Sequence, residues 1–302
     1  MFLGLNEIKK YKFRYALIGL VLVLIAYLIF VLTGLANGLA SSNRLAIDSW
    51  NAQQIVLNSE ANGSLTQSNL TNQQANKFQN ISGHSDITQL SANVTRPGSS
   101  DKLGTQIIGI NPNQSIYKEL QIETGHKFTN NHQVIVDDSL VKDNGYRIGG
   151  WLKIANHAQR YQIVGTTKNA KLSVAPVIYA SSTAVQDVKF DKNAQPMVSA
   201  IVLKHPADIS KVSGTQTMSI NAFINKLPGY TAQNNTFNFM IGFLLVITLF
   251  IIAIFLYVLT IQKIPFLAVM KVQGISNYYL LKSIVSQALL LAVGGDRNQW
   301  GG

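Results

Sequence analysis

Two long runs without a charged residue, Tyr15 to Asn43 and Leu227 to Gln262, bracket a polar middle that holds most of the charge. Within the second run, Phe239 to Ile261 is dominated by Ile, Leu, Phe and Val. At 1.5 Å per helical residue it is roughly 35 Å long, enough to cross a bilayer core of about 30 Å. In the first run, Ala16 to Ala36 reads the same way, and Leu39, Asn43 and Ile47 continue its spacing as a stalk beyond the membrane. The pattern predicts an amphipathic cytoplasmic segment over 1–14, a spanning helix over 15–37 and an extracytoplasmic α+β domain with a helical stalk over 38–236. A second spanning helix over 239–261 and a short basic segment over 262–277 follow. A third hydrophobic stretch, 278–295, is short for a span, and the tail 296–302 is atypical, so this helix reads as incomplete.

Inside the polar middle, short apolar runs separated by Gly, Pro, Asn and Ser predict alternating strands and small helices. Strands are expected over 54–57, 86–94, 103–110, 134–136 and 151–154, with 161–165 returning beside the last, and the later segments 175–179, 197–203 and 219–227 fit an alternating continuation of strand and helix. A polar helix is expected over 69–78, a short capped helix over 137–141, and a break at Pro228-Gly229.

Charged residues make up 13% of the chain and hydrophobic ones 47%, a balance suited to a membrane protein that carries a polar domain. The net charge of +11 is split among the N-terminal tail, the middle and the segment after the second span. With no single basic stripe, nucleic acid is not an expected partner. Lys9, Lys10, Lys12 and Arg14 against one acid, Glu7, place basic side chains beside lipid headgroups and the N-terminus inside. Gly38-Leu39-Ala40-Ser41 resembles a signal cleavage site, but the hydrophobic run is too long for a signal peptide, and the helix is expected to be retained. There are no cysteines, which excludes disulfides and thiolate metal sites.

No phosphate-binding loop, His-Glu-x-x-His motif or nucleophile elbow occurs, so no catalytic residues are expected. The histidines are scattered; His126 and His132 are near each other in sequence, but surface roles are favoured over metal, and no cofactor is expected. Neither span contains an ionisable proton relay, which argues against a proton-coupled carrier. Thr248 and Thr260 can bond to their own helix.

Between 134 and 165 the chain has a strand, a small helix, Gly145-Tyr146-Arg147-Ile148-Gly149 and a further strand. This unit resembles the extracytoplasmic domain of the macrolide-exporter and lipoprotein-release type of ABC permease. Asn6-Glu7-Ile8-Lys9-Lys10 before the first helix and Gln262-Lys263-Ile264-Pro265-Phe266 to Lys271-Val272-Gln273-Gly274 after the second resemble the FtsX-like permeases, above all the haem-export and DevC-type branch. The resemblance covers nearly the whole chain and implies the type VII ABC permease architecture. It further implies a permease subunit of a mechanotransmitting exporter in the bacterial plasma membrane, a homodimer with a separate ATPase subunit, and haem or another amphipathic toxic compound as cargo. An FtsX-like regulator that passes ATPase state to an extracellular partner is the alternative. In the family a Glu precedes the glycine of this segment by eight residues; here Phe266 stands in that position. An apolar contact through Phe266, Leu267 and Met270, flanked by Lys263, Pro265, Lys271 and Gly274, is therefore expected to meet the ATPase. Relative to the four spans that the resemblance implies, the third reads as incomplete and no fourth is expected within these residues.

Overall fold

The computed structural model describes residues 12–154, 157–190, 197–206 and 212–272. Two compact units emerge: one formed by the chain up to Leu35 and from Thr236 onward, the other by Ala36–Asn235.

Among the described residues, the first unit consists of parts of two long helices. Helix α1 spans Lys12–Ser49, and the last helix spans Tyr230–Val272. Both are long and apolar enough to cross a membrane, and almost none of their apolar stretch is buried within the protein. Leu17, Leu24, Phe30, Phe243, Leu249 and Phe250 are exposed along them. An all-round apolar helix with bare side chains needs lipid or protein around it. Leu28, Leu32, Thr236, Phe239, Met240, Phe243 and Leu244 line a groove of about 600 Å³.

The second unit is the α+β domain expected between these helices. In chain order it contains β1 (Gln54–Asn58), β2 (Leu70–Thr71), α2 (Asn72–Asn76), β3 (His84–Thr95), β4 (Leu103–Ile110), α3 (Ser115–Glu119), β5 (Thr124–Gly125), β6 (Gln133–Asp137) and α4 (Asp138–Lys142). There follow β7 (Trp151–Ile154), β8 (Arg160–Thr167), β9 (Lys171–Leu172), β10 (Ala175–Ser181), α5 (Ser182–Lys189), β11 (Met197–Val198), β12 (Ala200–Leu203), β13 (Thr215–Ser219) and α6 (Ile220–Asn225), before the last helix, α7.

The main sheet runs β13-β1-β12-β3-β4-β10-β6-β8-β5. It is mixed: β10 lies parallel to β4 and β6 parallel to β8, while the other pairings are antiparallel. Strand β7 pairs with both β3 and β8, which closes β3-β4-β10-β6-β8-β7 into a ring. Side chains alternate across a strand, so the ring has an inside and an outside. Its inside holds one core of Val94, Ile107, Val134, Val136, Leu152, Ile154, Ile163 and Ile178, with Leu140 and Val185 from the small helices. A second core covers the outside of β4, β10 and β6. There Ile108, Ile135 and Tyr179 meet Ala46, Ile47 and Trp50 from the end of α1, and Phe223 and Tyr230 belong to the same cluster.

The helix expected over 69–78 is shorter. Leu70 and Thr71 pair with β11, and Thr71 caps α2 through a reciprocal box with Gln74, which starts the helix only at Asn72. Within 219–227, Ile220–Asn225 form a helix capped by Ser219. Past Pro228, Gly229 adopts φ +75°, a left-handed conformation natural to glycine, and α7 starts at the next residue.

Candidate functional site

Of the residues expected to meet an ATPase, Lys263, Pro265, Phe266, Leu267, Met270 and Lys271 lie on the last turns of α7, which runs on past Ile261 to Val272 without a break. Their spacing puts Lys263, Phe266, Leu267 and Met270 on one helical face. Pro265 sits inside the helix, where it removes one backbone donor and with it the bond to the carbonyl one turn earlier. Of the basic residues at the other end of the chain, Lys12 opens α1 and is exposed, and Arg14 lies in its first turn. Gly274, Lys9, Lys10 and the stretches 278–295 and 296–302 lie outside the described residues. Within α7, the hydroxyls of Thr248 and Thr260 donate to the carbonyls of Leu244 and Leu256 at 2.6 and 2.7 Å, so each is satisfied by its own helix.

The more informative site was not singled out from the sequence: the junction where α1 enters the domain. Trp50, at the end of α1, is 4% exposed, and its Nε1 donates to the Tyr179 hydroxyl on β10 at 3.3 Å. One turn earlier the Arg44 guanidinium grips Asp48 through Nε and Nη2, each at 2.9 Å, and also reaches the Tyr230 hydroxyl at the start of α7. Asn43, nearly fully buried, donates through Nδ2 to its own helix at the Leu39 carbonyl (3.0 Å) and to Gln233 Oε1 on α7 (3.4 Å). The β9–β10 turn adds backbone bonds: Ser173 N–H donates to the Asn43 carbonyl at 3.0 Å and Val174 N–H to the Ser42 carbonyl at 3.2 Å. Both turn residues have positive φ, +50° and +67°. For a β-branched residue such as Val174 this is a strained conformation, tolerated where the surroundings impose it.

Burial pushes the Tyr179 phenol above its usual range, so it stays protonated. The junction's arrangement is mechanical: two helices are tied to each other and to a central strand by polar side chains within an apolar packing. The i,i+4 pair Arg44 and Asp48 was a readable signal of a helix in water. The partner Tyr179, far along the chain, was not readable.

Elsewhere in the domain, Lys189 Nζ donates to Ser199 Oγ at 2.9 Å and Asn69 Oδ1 at 3.2 Å, and burial lowers its pKa to about 8. Burial raises Asp86, which is held by Gln114. His126 and His132 are exposed, His132 bonding Gln159 at 2.8 Å. Among the described residues no group of three or more His, Asp or Glu side chains could hold a metal.

Residues 16–214 match the family model described as MacB-like periplasmic core domain. A Staphylococcus haemolyticus protein that bears the provisional name hemin transport system permease protein HrtB is 26% identical over 98% of this chain and 82% of its own length. A namesake from Staphylococcus epidermidis is 24% identical over 96% of this chain and 81% of its own. Among solved structures, the extracellular domain of the ABC-type transporter YknZ from Gram-positive bacteria aligns with TM-score 0.38 at 14% identity, over 55% of this chain and 98% of that domain. A domain of a provisional permease from Porphyromonas gingivalis aligns with TM-score 0.35 at 13% identity, over 53% and 77%. With the family model matching well over half of its length, the chain belongs to the family of the MacB-like periplasmic core domain and is an ABC permease of the FtsX/MacB type.

Proposed function

We propose that this chain is the membrane subunit of an ATP-driven exporter of the mechanotransmission type, working as a homodimer with a separate ABC ATPase that supplies all the catalysis. In this reading it lies in the bacterial plasma membrane with its N-terminus inside, Lys9, Lys10, Lys12 and Arg14 at the lipid surface, and the α+β domain outside. The observation that carries the reading is the continuity of α7, a single helix from the partly polar turn at Tyr230 through the apolar span to Val272. A continuous helix of this kind offers a path for displacement along its axis. Closure of the ATPases pushes the 262–277 segment, the apolar face of Phe266, Leu267 and Met270 taking the load, and the domain moves in response.

The cargo we infer is haem or another amphipathic toxic compound. The names of the staphylococcal relatives support this. So does the groove lined by Leu28, Leu32, Phe239, Met240 and Phe243 with Thr236, whose chemistry suits the apolar body of such a molecule.

Co-purification with the cognate ATPase in detergent tests the subunit assignment. Wild type is expected to bring the ATPase down, and Phe266→Asp and Lys271→Glu to lose it. An ATPase retained by both variants would remove the 262–277 segment from the contact. Haem sensitivity of a deletion strain tests the cargo. Normal growth in haem, with the ATPase complex intact, would favour the regulator over the exporter.

A further inference from the structure

The outside of the strand ring is covered by the end of α1 and the segments around α3 and Phe128 over β4, β10 and β6, but among the described residues nothing covers Trp151 and Ile148 at the start of β7 to the same extent. Here Trp151 stands 46% exposed and Ile148, in the turn just before it, 40% exposed. The turn is fixed by Gly150 N–H donating to the Arg147 carbonyl at 3.0 Å. The β7–β8 register is Trp151 opposite Gln162, Leu152 opposite Tyr161 and Lys153 opposite Arg160. Leu152 and Tyr161 point into the ring, so Trp151, Lys153, Arg160 and Gln162 share the outer face.

Two features of this face are costly for the free domain. A large aromatic side chain is left in water, and two cations stand directly opposite each other, an arrangement that destabilises an antiparallel pair. Arg147 adds a third exposed cation beside Ile148. Among the described residues, Arg147, Lys153 and Arg160 take part in no ion pair. An aromatic anchor ringed by unpaired arginine and lysine is the composition of an interface centre with its polar rim.

We propose that this face docks an acidic segment of a second extracellular protein, an apolar side chain of the partner packing on Trp151 and Ile148 while its carboxylates pair with Arg147, Lys153 and Arg160. A second copy of this chain on the same patch would oppose like charges. The inference rests on the proposed reading only in placing this domain outside the cell; it needs neither the ATPase nor the cargo.

The test uses the full chain in detergent and a fluorescein-labelled peptide of alternating Glu and Leu, followed by anisotropy. Binding that weakens as salt is raised is expected, falling by at least about tenfold in Trp151→Ala and in Lys153→Glu/Arg160→Glu, the scale of losing one anchor. The double charge reversal is also expected to gain binding of the matching Lys and Leu peptide, which shows that the variant is folded. The proposal is overturned if no acidic peptide binds, if acidic and basic peptides bind alike, or if the variants bind as wild type. It is overturned equally if the same residues instead direct binding to vesicles of phosphatidylglycerol, which would make the face a membrane contact.

Discussion

Removing the Tyr179 hydroxyl tests whether the end of α1 is held by the domain as described. Trp50 is 4% exposed and Tyr179 fully buried, so in Tyr179→Phe the indole N–H loses its partner with no water to replace it. A buried donor left unpaired costs about 1–3 kcal/mol. The 3.3 Å separation marks a bond of ordinary or lesser strength, so most of that cost is desolvation and not the bond itself. Trp50→Phe removes the donor but also indole volume, and costs about 1–3 kcal/mol by incomplete filling. Because the donor is then gone, adding Tyr179→Phe to it should cost little. The double variant is therefore expected to be more stable than the sum of the singles by about 1 kcal/mol. For a domain of this size each kcal/mol moves the melting temperature by about 2–4 °C, which thermal melting of the full chain in detergent, read by circular dichroism, resolves. Additive losses, or a Tyr179→Phe variant that melts with wild type, would refute the buried bond and the anchoring built on it.

At the β9–β10 turn, Val174→Asn keeps the backbone bond to α1 and replaces a β-branched residue at φ +67° by one that tolerates that region. Strain of this type is about 1–3 kcal/mol, and Val174 is nearly half exposed, so a higher melting temperature is expected and a lower one contradicts the strained turn. Gly165→Ala would place a Cβ 2.5 Å from the His126 carbonyl oxygen and 3.3 Å from that of Thr124; backbone cannot step aside, and a loss of about 3 kcal/mol or more is expected. Gly104→Ala, whose Cβ meets only Asn93 Oδ1 at 3.7 Å, is the control and should melt like wild type. Burial holds Lys189 at about 8 against its usual 10.5, so between those values the unfolded chain binds the proton more tightly. Its contribution to stability therefore rises as pH goes from about 8 toward 10.5, and the full penalty applies below 8. Lys189→Met should gain most over wild type at pH 7 and less at pH 9.5 in denaturant titrations; a pH-independent difference would show that the ammonium is not desolvated.

Much of the domain was legible in local pattern. The strand from Leu103 to Ile110 and that from Trp151 to Ile154 appear with the same ends, because apolar and β-branched residues there are bounded by turn residues. Long, uninterrupted apolarity made both long helices equally plain. What the pattern lacks is partnership. Nothing local in β7 says that it bonds two strands, and nothing in Trp50 says that it meets Tyr179, since both facts depend on the packing of distant segments. For the same reason α7 starts at Tyr230, ahead of the apolar run. Polar Thr231 to Asn235 have little cause to be helical alone, but the buried Tyr230 and the bond from Asn43 to Gln233 hold that first turn in place. The exposed face at Trp151 was hidden by its own alternation, which reads as an ordinary half-buried strand.

The strand that receives Trp50 is bonded along both edges, to β4 in parallel and to β6 in antiparallel register, within a ring that β7 closes. Force arriving through the end of α1 thus meets a strand that cannot slide without shearing hydrogen bonds on two sides at once. A sheet with a loose edge would yield and absorb a small stroke as local fraying. A closed one passes the same stroke on to the domain as a whole, so under the proposed mechanotransmission the stiffness of this ring would set how much of each stroke survives beyond it.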